Sequence, residues 1–326
     1  MAGTSPSEIK VPALTQIGIV VKDLDKTVKD YWNMLGIGPW QILTMESPGM
    51  YDQTYHGKSA CFRYKAGLAK VGPVEIELME NIEGTTTYSD FMAKHGEGGH
   101  HLQYLVDSVE TIDRHVEVMA RKGISSAGGG RFGDNGGWNY LDTASALGTI
   151  WEPVKMADNF SGPTATYPAA QSAISPAKIK VKAITQISLA VRDLERSMDN
   201  YRTLLGINDW KVFDVKPPML HGHTYHRRPG NFTMKVGLAL GEQLELIQPT
   251  SGDSVYKDFL AEYGEGINHL QFTVDNVEEI IPIMEKEGFP LLQSGRAIGD
   301  DYFSYYDTIG PLKIMWEAWQ PPQKPL

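Results

Sequence analysis

Residues 14–24 read LTQIGIVVKDL, and residues 184–194 read ITQISLAVRDL. The correspondence continues along the chain: FMAKHGEGGHHLQYLVDSVE at 91–110 returns as FLAEYGEGINHLQFTVDNVE at 259–278, and GTIWEP at 148–153 returns as LKIMWEA at 312–318. Self-similarity at a spacing of about 170 residues predicts two copies of one structural unit. Each copy is long enough to bury a core of its own.

The two copies share four polar residues in the same order. These are Gln16, Glu77, His101 and Glu152 in the first copy, and Gln186, Glu245, His269 and Glu317 in the second. One imidazole, two carboxylates and one amide make up the donor set of a metal site with hard-to-borderline ligands. Taken alone, each of these eight residues is interpreted as an ordinary structural polar residue. The matched sets predict metal binding in at least one copy, because a buried carboxylate is costly unless it is paired or bound to a metal.

Composition excludes several classes of protein. The chain has 326 residues, with 21% charged, 41% hydrophobic and a net charge of −10, which argues against a nucleic-acid partner. Its one cysteine, Cys61, cannot form an internal disulfide, which favours a reducing compartment. No run approaches the ~20 apolar residues of a membrane span, so we expect a cytoplasmic protein without membrane contact.

The pattern along each copy indicates strand, helix and then further strands. Residues 14–21 alternate as a strand does, and Asp25 is expected to cap a helix that ends at Gly36. A second helix is predicted to end at Gly123. A Pro-, Ala-, Ser- and Thr-rich stretch separates the copies. We therefore predict domains at 1–157 and 177–326, with a linker at 158–176.

The predicted fold class is α+β, with four βαβββ units that form two bundles. Two such units pair as a cup around the inward-facing residues of their strands. Strand side chains alternate, so Gln16 is expected to face the cup while its neighbour Ile17 faces the helix.

With these residues and this unit pattern the chain resembles the vicinal oxygen chelate superfamily, which includes glyoxalase I, methylmalonyl-CoA epimerase and the extradiol dioxygenases. The resemblance covers nearly the whole chain. The stretch FMAKHGEGGHHLQYLVD is most similar to the epimerase. It implies that the eight shared residues are the metal ligands of two sites. The Gln-Glu-His-Glu order is similar to that of glyoxalase I, whereas the epimerase has His first and Gln second. Extradiol dioxygenases need a first-position His, where this chain has Gln16 and Gln186.

The ligand set and the resemblance together predict a metal-dependent isomerase, epimerase or lyase that transfers a proton next to a carbonyl. The cofactor is a divalent ion, Zn, Ni, Co, Mn or Fe(II), that polarises the carbonyl. By resemblance, Glu152 or Glu317 is the catalytic base. The alternatives are an extradiol-type dioxygenase on the same fold and a non-catalytic small-molecule-binding protein. A chain with one catalytic and one supporting bundle is also open.

Weaker signals concern the substrate. The triplet ending in Tyr55 and His56 returns with Tyr225 and His226, and these four residues are candidate substrate contacts or packing residues of a repeated hairpin. The expected partner is a medium-sized, partly apolar carbonyl compound. The metal sites are expected to form either within one half or between the halves. The chain is expected to be either a monomer, which would be a covalent pseudo-dimer, or a homodimer. The glycines at 128, 130 and 133 are expected to form a flexible loop near the pocket.

Overall fold

The computed structural model describes residues 7–159, 162–170 and 172–322. The elements of the first half are, in chain order, β1 (Gln16–Val20), α1 (Leu24–Leu35), β2 (Trp40–Met45), β3 (Met50–Tyr55), β4 (Lys58–Ser59), β5 (Arg63–Val71), β6 (Val74–Glu83), α2 (Thr87–His95), β7 (Gly98–Leu105), α3 (Val109–Arg121), β8 (Ser126–Phe132), β9 (Gly136–Leu141), α4 (Ala144–Leu147), β10 (Ile150–Lys155) and β11 (Ala165–Tyr167).

The second half repeats this order. Its elements are β12 (Gln186–Ala190), α5 (Leu194–Leu205), β13 (Lys211–Val215), β14 (His221–Tyr225), β15 (Arg228–Pro229), β16 (Thr233–Ala239), β17 (Leu244–Ser251), α6 (Val255–Glu262), β18 (Gly266–Thr273), α7 (Val277–Lys286), β19 (Leu291–Arg296), a 3-10 turn (Ile298–Asp300), β20 (Tyr302–Tyr306), α8 (Ile309–Leu312) and β21 (Met315–Gln320).

Each half is one mixed sheet made from two βαβββ units. In the first half the units are β2-β5-β6-β1 and β7-β10-β9-β8, joined by the antiparallel pair β1/β7. The first strand of each unit runs parallel to its last strand, β1 to β6 and β7 to β10. The second half has the same order, with β12/β18 as the junction. The predicted α+β class with four βαβββ units is confirmed.

The first helix of each half begins and ends as its sequence dictates, with one correction. Asp23, and not the predicted Asp25, is the N-cap of α1, because its side chain accepts from the backbone N–H of Lys26. Asp25 lies in the first turn, where its charge favours the helix dipole. Gly36 ends the helix in the left-handed region, at φ 67°, where a side chain would be strained.

The glycine-rich segment is a strand, so the prediction of a flexible loop at 128–130 was wrong. Gly128–Gly130 lie within β8, and only Gly133 lies in the turn that follows. A Cβ atom on Gly130 would come 2.5 Å from the Trp138 ring on the neighbouring strand. The glycine is therefore explained by the close packing of a tryptophan across the β8/β9 pair.

Several short elements of the first half were not predicted from the sequence. Among them are α2, the strands β3 and β4, and β11, which lies inside the predicted linker. Strand β3 pairs with β8 of the other unit, and β11 pairs antiparallel with β2. Short elements of this kind carry little periodicity, and their pairing partners are distant in sequence. The predicted domain boundaries stay a prediction, and residues 1–6, 160–161, 171 and 323–326 lie outside the described residues.

The two halves pack against each other through one continuous hydrophobic core. Tyr31 donates from its hydroxyl to the Leu312 carbonyl at 2.8 Å, and Tyr201 donates to the Leu147 carbonyl at 2.9 Å. Both tyrosines are fully buried. These reciprocal contacts give the chain the internal pseudo-symmetry of a dimer. Of the helices in the described residues, none is long and apolar enough to cross a bilayer.

Candidate metal centre and substrate cavity

Each predicted ligand set comes together within one half, and not across the two halves. In the first half, His101 Nε2 lies 3.2 Å from Glu152 Oε2 and 3.5 Å from Glu77 Oε2. In the second half, the corresponding distances from His269 Nε2 are 3.0 Å to Glu317 and 3.5 Å to Glu245. The strand order explains this, because the parallel pairs β6/β1 and β7/β10 and the β1/β7 junction place all four residues on adjacent strands.

A second glutamine orients the first-strand glutamine in each set. Gln103 Nε2 donates to Gln16 Oε1 at 2.7 Å and lies 3.4 Å from Glu152 Oε2. Its own Oε1 accepts from the Thr15 hydroxyl at 3.0 Å. Gln16 Nε2 donates outward to Glu75 at 2.8 Å. The amide oxygen of Gln16 is thereby directed to the same side as the carboxylates.

The second half reproduces this arrangement. Gln271 donates to Gln186 Oε1 at 3.0 Å and to Glu317 Oε2 at 3.2 Å, and it accepts from Thr185 at 2.9 Å. Sequence reasoning missed these orienting residues, although the repeated TQ and HLQ segments contained the signal.

The residue before each site histidine fixes its ring. His269 Nδ1 lies 3.0 Å from Asn268 Oδ1, and His101 Nδ1 lies 3.0 Å from His100 Nδ1. Burial holds the pKa of His100 well below its usual range, so its Nδ1 can accept a hydrogen bond as a neutral ring. In both halves Nδ1 of the site histidine faces this neighbour and Nε2 faces the glutamates, the orientation that metal-binding histidines have.

The carboxylates control the charge of the histidines. Burial by itself would lower the pKa of His101, but the charge of Glu152 and contacts with both glutamates outweigh it and raise the pKa to about 9. The same competition raises the pKa of His269 to about 9. Burial raises the pKa of Glu77 and of Glu317. A cation between the glutamates is thus strongly favoured, whether a proton on the imidazole or a metal ion.

The donor types of each set, one imidazole, two carboxylates and one amide, suit a divalent ion. His101 Nε2, His269 Nε2 and Glu245 Oε2 are buried and make no well-aligned hydrogen bond, which is the condition of donor atoms that lack their partner. Within the described residues, no group of three or more His, Cys, Asp and Glu side chains is arranged so that it could hold an ion without rearrangement. Neighbouring donors around an octahedral ion with bonds of about 2.1 Å lie about 3 Å apart, so the 3.5 Å contacts of Glu77 and Glu245 would have to shorten.

A cavity of about 500 Å³ opens onto the set in the second half. Gln186, Glu245, Gln271 and Glu317 lie in its wall. Much of the remaining lining is apolar and comes from β13, β16, β17 and β20. This size suits a small organic molecule. Among the described residues that line the cavity there is no Lys, Arg or His, whereas Glu242 and Asp301 add two further carboxylates.

Several counterparts of the cavity-lining residues are larger in the first half. Trp138 takes the place of Phe303, and with Tyr140 it lines a separate cavity of about 10 Å³ beside the β3 hairpin and α2. Phe132 and Tyr64 belong to the same packed cluster as Trp138. Their counterparts in the second half are the smaller Ala297 and Met234, both of which line the large cavity.

Both carboxylate sets still reach solvent to a similar extent, since Glu77 is 9% exposed and Glu245 is 8% exposed. The halves therefore differ in the room for an organic molecule and not in the access of an ion.

The structure places the four candidate substrate residues on exposed hairpins. Tyr55 donates to Asp90 at 2.6 Å, and Tyr225 donates to Asp258. His56 and His226 occupy the turns with φ near 47° and 46°. Tyr225 and His226 do not line the 500 Å³ cavity. A substrate role for these residues stays a prediction, and their contacts are those of a repeated hairpin tied to helices α2 and α6.

Comparisons with known proteins agree with the fold. The profile of the Glyoxalase/Bleomycin resistance protein/Dioxygenase superfamily matches residues 15–141 and 185–306. A triple mutant of 4-hydroxymandelate synthase from Streptomyces coelicolor superposes with a TM-score of 0.61 at 13% identity, covering 98% of this chain and 95% of that one.

A Mn(II)-bound glyoxalase from Novosphingobium aromaticivorans superposes with a TM-score of 0.51 at 14% identity, covering 95% of this chain and 82% of that one. A fusion protein of a xylose isomerase-like TIM barrel and a 4-hydroxyphenylpyruvate dioxygenase gives 0.55 at 13% identity, covering 99% of this chain and 51% of that one. No curated protein matches the chain. At these identities the neighbours show the fold alone. The matched profile covers both halves, and the chain belongs to the Glyoxalase/Bleomycin resistance protein/Dioxygenase superfamily as a tandem, two-bundle vicinal oxygen chelate protein.

Proposed function

We propose that the second half is a divalent-metal-dependent isomerase, epimerase or lyase site that moves a proton at a carbon next to a carbonyl. The observation that carries the proposal is the position of Glu317, a buried carboxylate in the wall of the 500 Å³ cavity, beside His269. Gln186, Glu245, His269 and Glu317 would hold the ion. When bound, the ion would polarise the carbonyl oxygen of the substrate.

Glu317 is the residue we assign as the base. Its Oε2 contacts His269 and Gln271, and its side chain faces the cavity where a substrate carbon can approach. A positioned carboxylate can take a proton from the carbon next to the carbonyl and return it to the same carbon or to a neighbouring one. Burial raises the pKa of Glu317, which favours its action as a base.

We assign the first half a supporting role. Its ligand set matches that of the second half, but Phe132, Tyr64 and Trp138 are larger than their counterparts Ala297, Met234 and Phe303 and would leave less room for a substrate. Glu152 is accordingly the counterpart of the base and not the base itself.

The donor types support this proposal over a ring-cleaving dioxygenase. Non-haem Fe(II) oxygenases of the facial-triad type use two histidines and one carboxylate. Each set here has one histidine, two glutamates and a glutamine.

The proposal can be tested with 2-hydroxyacetophenone, whose two adjacent oxygens can chelate an ion and whose ring suits an apolar cavity. The Mn(II)-loaded protein is incubated with this compound in deuterated water, and exchange of the protons next to the carbonyl is followed by NMR. We expect Glu317→Gln to slow the exchange at least about 100-fold, since general bases contribute about 10²–10⁴ to rates. The matched control, Glu152→Gln, should exchange at close to the wild-type rate.

Two outcomes would contradict the proposal. Equal exchange by wild type and Glu317→Gln would remove the base assignment. Oxygen uptake by the Fe(II)-loaded protein with a catechol, without proton exchange, would identify a dioxygenase instead.

A further inference from the structure

We propose that Asp301 is a second substrate-binding residue of the cavity and accepts a hydrogen bond from a donor group on the substrate. This inference rests on the proposed function, because it places the substrate in the same cavity as Glu317. It adds a chemical class: an apolar compound with chelating oxygens at one end and a hydroxyl or amine at the other.

The Asp301 carboxylate is buried and held in place. The side chain is 8% exposed and lies in the cavity wall. Its Oδ1 accepts from the backbone N–H of Ala297 at 3.0 Å, and its Oδ2 accepts from Trp319 Nε1 at 3.0 Å. An ionised carboxylate offers about four acceptor positions, so two remain for a ligand.

Asp301 is the carboxylate of the cavity that lacks a cationic partner within the described residues. Glu245 and Glu317 share His269, and Glu242 pairs with Lys211 at 2.8 Å. The two donors that Asp301 does have, an amide and an indole N–H, are neutral. Burial raises the pKa of Asp301 to about 6, which is the sign of a carboxylate whose charge is poorly compensated. A ligand donor would supply that compensation.

The sheet register places this acceptor at a defined separation from the metal set. On the β20/β21 pair, Tyr305 lies opposite Glu317 and Phe303 lies opposite Trp319. Glu317 and Trp319 are two residues apart and so face the same side of the strand, about 7 Å apart along it. The Trp319 indole that donates to Asp301 is therefore separated from Glu317, the proposed base, by about the length of one aromatic ring.

The first half lacks both members of the pair. The counterparts of Asp301 and Trp319 there are Gly136 and Val154. The carboxylate and the indole thus occur together in the half whose proposed ligands lie in the wall of the 500 Å³ cavity. A role in stabilising the bundle would be needed in both halves, whereas a role in substrate binding is needed in one.

The test uses benzohydroxamates as probes, because the hydroxamate chelates a divalent ion and the para position can be varied. Affinities of the 4-hydroxy, 4-aminomethyl and 4-methoxy compounds for the Mn(II)-loaded protein are measured by calorimetry. We expect the 4-hydroxy compound to bind about tenfold more tightly than the 4-methoxy compound, which cannot donate. Tighter binding of the 4-aminomethyl compound would identify a cation as the preferred donor, and weaker binding would identify a neutral hydroxyl.

Substitutions assign the preference to this residue. Asp301→Gly introduces the residue that the first half has, and Asp301→Asn keeps the volume while removing the charge. Asp301→Gly should lose the preference for the 4-hydroxy compound, and Asp301→Asn, which keeps one acceptor oxygen, should reduce it; both should still bind Mn(II). Trp319→Phe keeps the Asp301 carboxylate but removes the hydrogen bond to its Oδ2, and it should reduce the preference for the 4-hydroxy compound. This variant serves as the test if the Asp301 variants fail to fold.

The outcomes separate this inference from the proposed function. If Mn(II) and the hydroxamates bind but wild type shows no donor preference, or if the preference survives in Asp301→Gly, the role of Asp301 is refuted while the metal site stands. If Mn(II) does not bind at all, the proposed function and this inference fall together.

Discussion

Replacing Gln271 by leucine removes the amide that positions two proposed ligands at once. The side chain is 7% exposed and donates to Gln186 at 3.0 Å and to Glu317 at 3.2 Å, while accepting from Thr185 at 2.9 Å. A buried neutral hydrogen bond is worth about 1 kcal/mol and a bond to a charged group about 2 kcal/mol. In the metal-free protein, the free energy of unfolding should therefore fall by about 4 kcal/mol. Relaxation of the side chains around the substitution would make the loss smaller.

The functional effect should exceed what lost stability explains. Second-layer partners of metal ligands change metal affinity about 10- to 100-fold when removed. We expect Gln271→Leu to weaken Mn(II) binding by this factor at one of two sites, measured by metal titration, and to abolish exchange of 2-hydroxyacetophenone at limiting metal. Denaturant unfolding in the presence of a chelator measures the stability term separately.

The first half provides a matched control. Gln103 makes the same three contacts, at 2.7, 3.4 and 3.0 Å, so Gln103→Leu should cost a similar unfolding free energy. Because we place the proposed reaction in the second half, this variant should keep its exchange activity. Unchanged Mn(II) affinity in Gln271→Leu, or equal loss of activity in both variants, would refute the positioning role.

Three further predictions follow from the same structure. Ala297→Phe, which copies Phe132 into the second cup, should abolish hydroxamate binding in calorimetry while Mn(II) binding persists; retained hydroxamate affinity would place the ligand elsewhere. Burial and Arg114 lower the pKa of His115 from 6.5 to about 4, so the folded state resists protonation and stability should fall as the pH drops from 6.5 toward 4. Allowing for partial screening, we expect about 1 kcal/mol between pH 7 and pH 5, measured by denaturant unfolding, and a flatter profile in His115→Gln. Finally, chelator dialysis should lower the thermal unfolding midpoint, since free metal at one hundred times Kd adds about 2.7 kcal/mol per site; an unchanged midpoint would count against bound metal.

Much of the fold could be predicted because local hydrophobic patterns and the internal repeat indicate it. Apolar periodicity located α1, α3 and the main strands, and the repeat showed that Gln16, Glu77, His101 and Glu152 have counterparts. The sequence also contained the TQ and HLQ segments, although nothing local shows that Gln103 donates to Gln16. Hydrogen bonds between side chains on different strands depend on register, which only pairing sets.

The sequence by itself determined that the chain has two halves of one family, each with the same potential ligands. Only the tertiary structure decided that each set forms within its own half, because the junctions β1/β7 and β12/β18 bring four strands together there. It also decided that the halves differ. Phe132 and Ala297 occupy matched positions and both are buried in a hydrophobic cluster, but only the structure shows that the smaller Ala297 also lines a cavity of about 500 Å³. Volume inside a cup is a sum over residues far apart in the chain, and that sum exists only after folding.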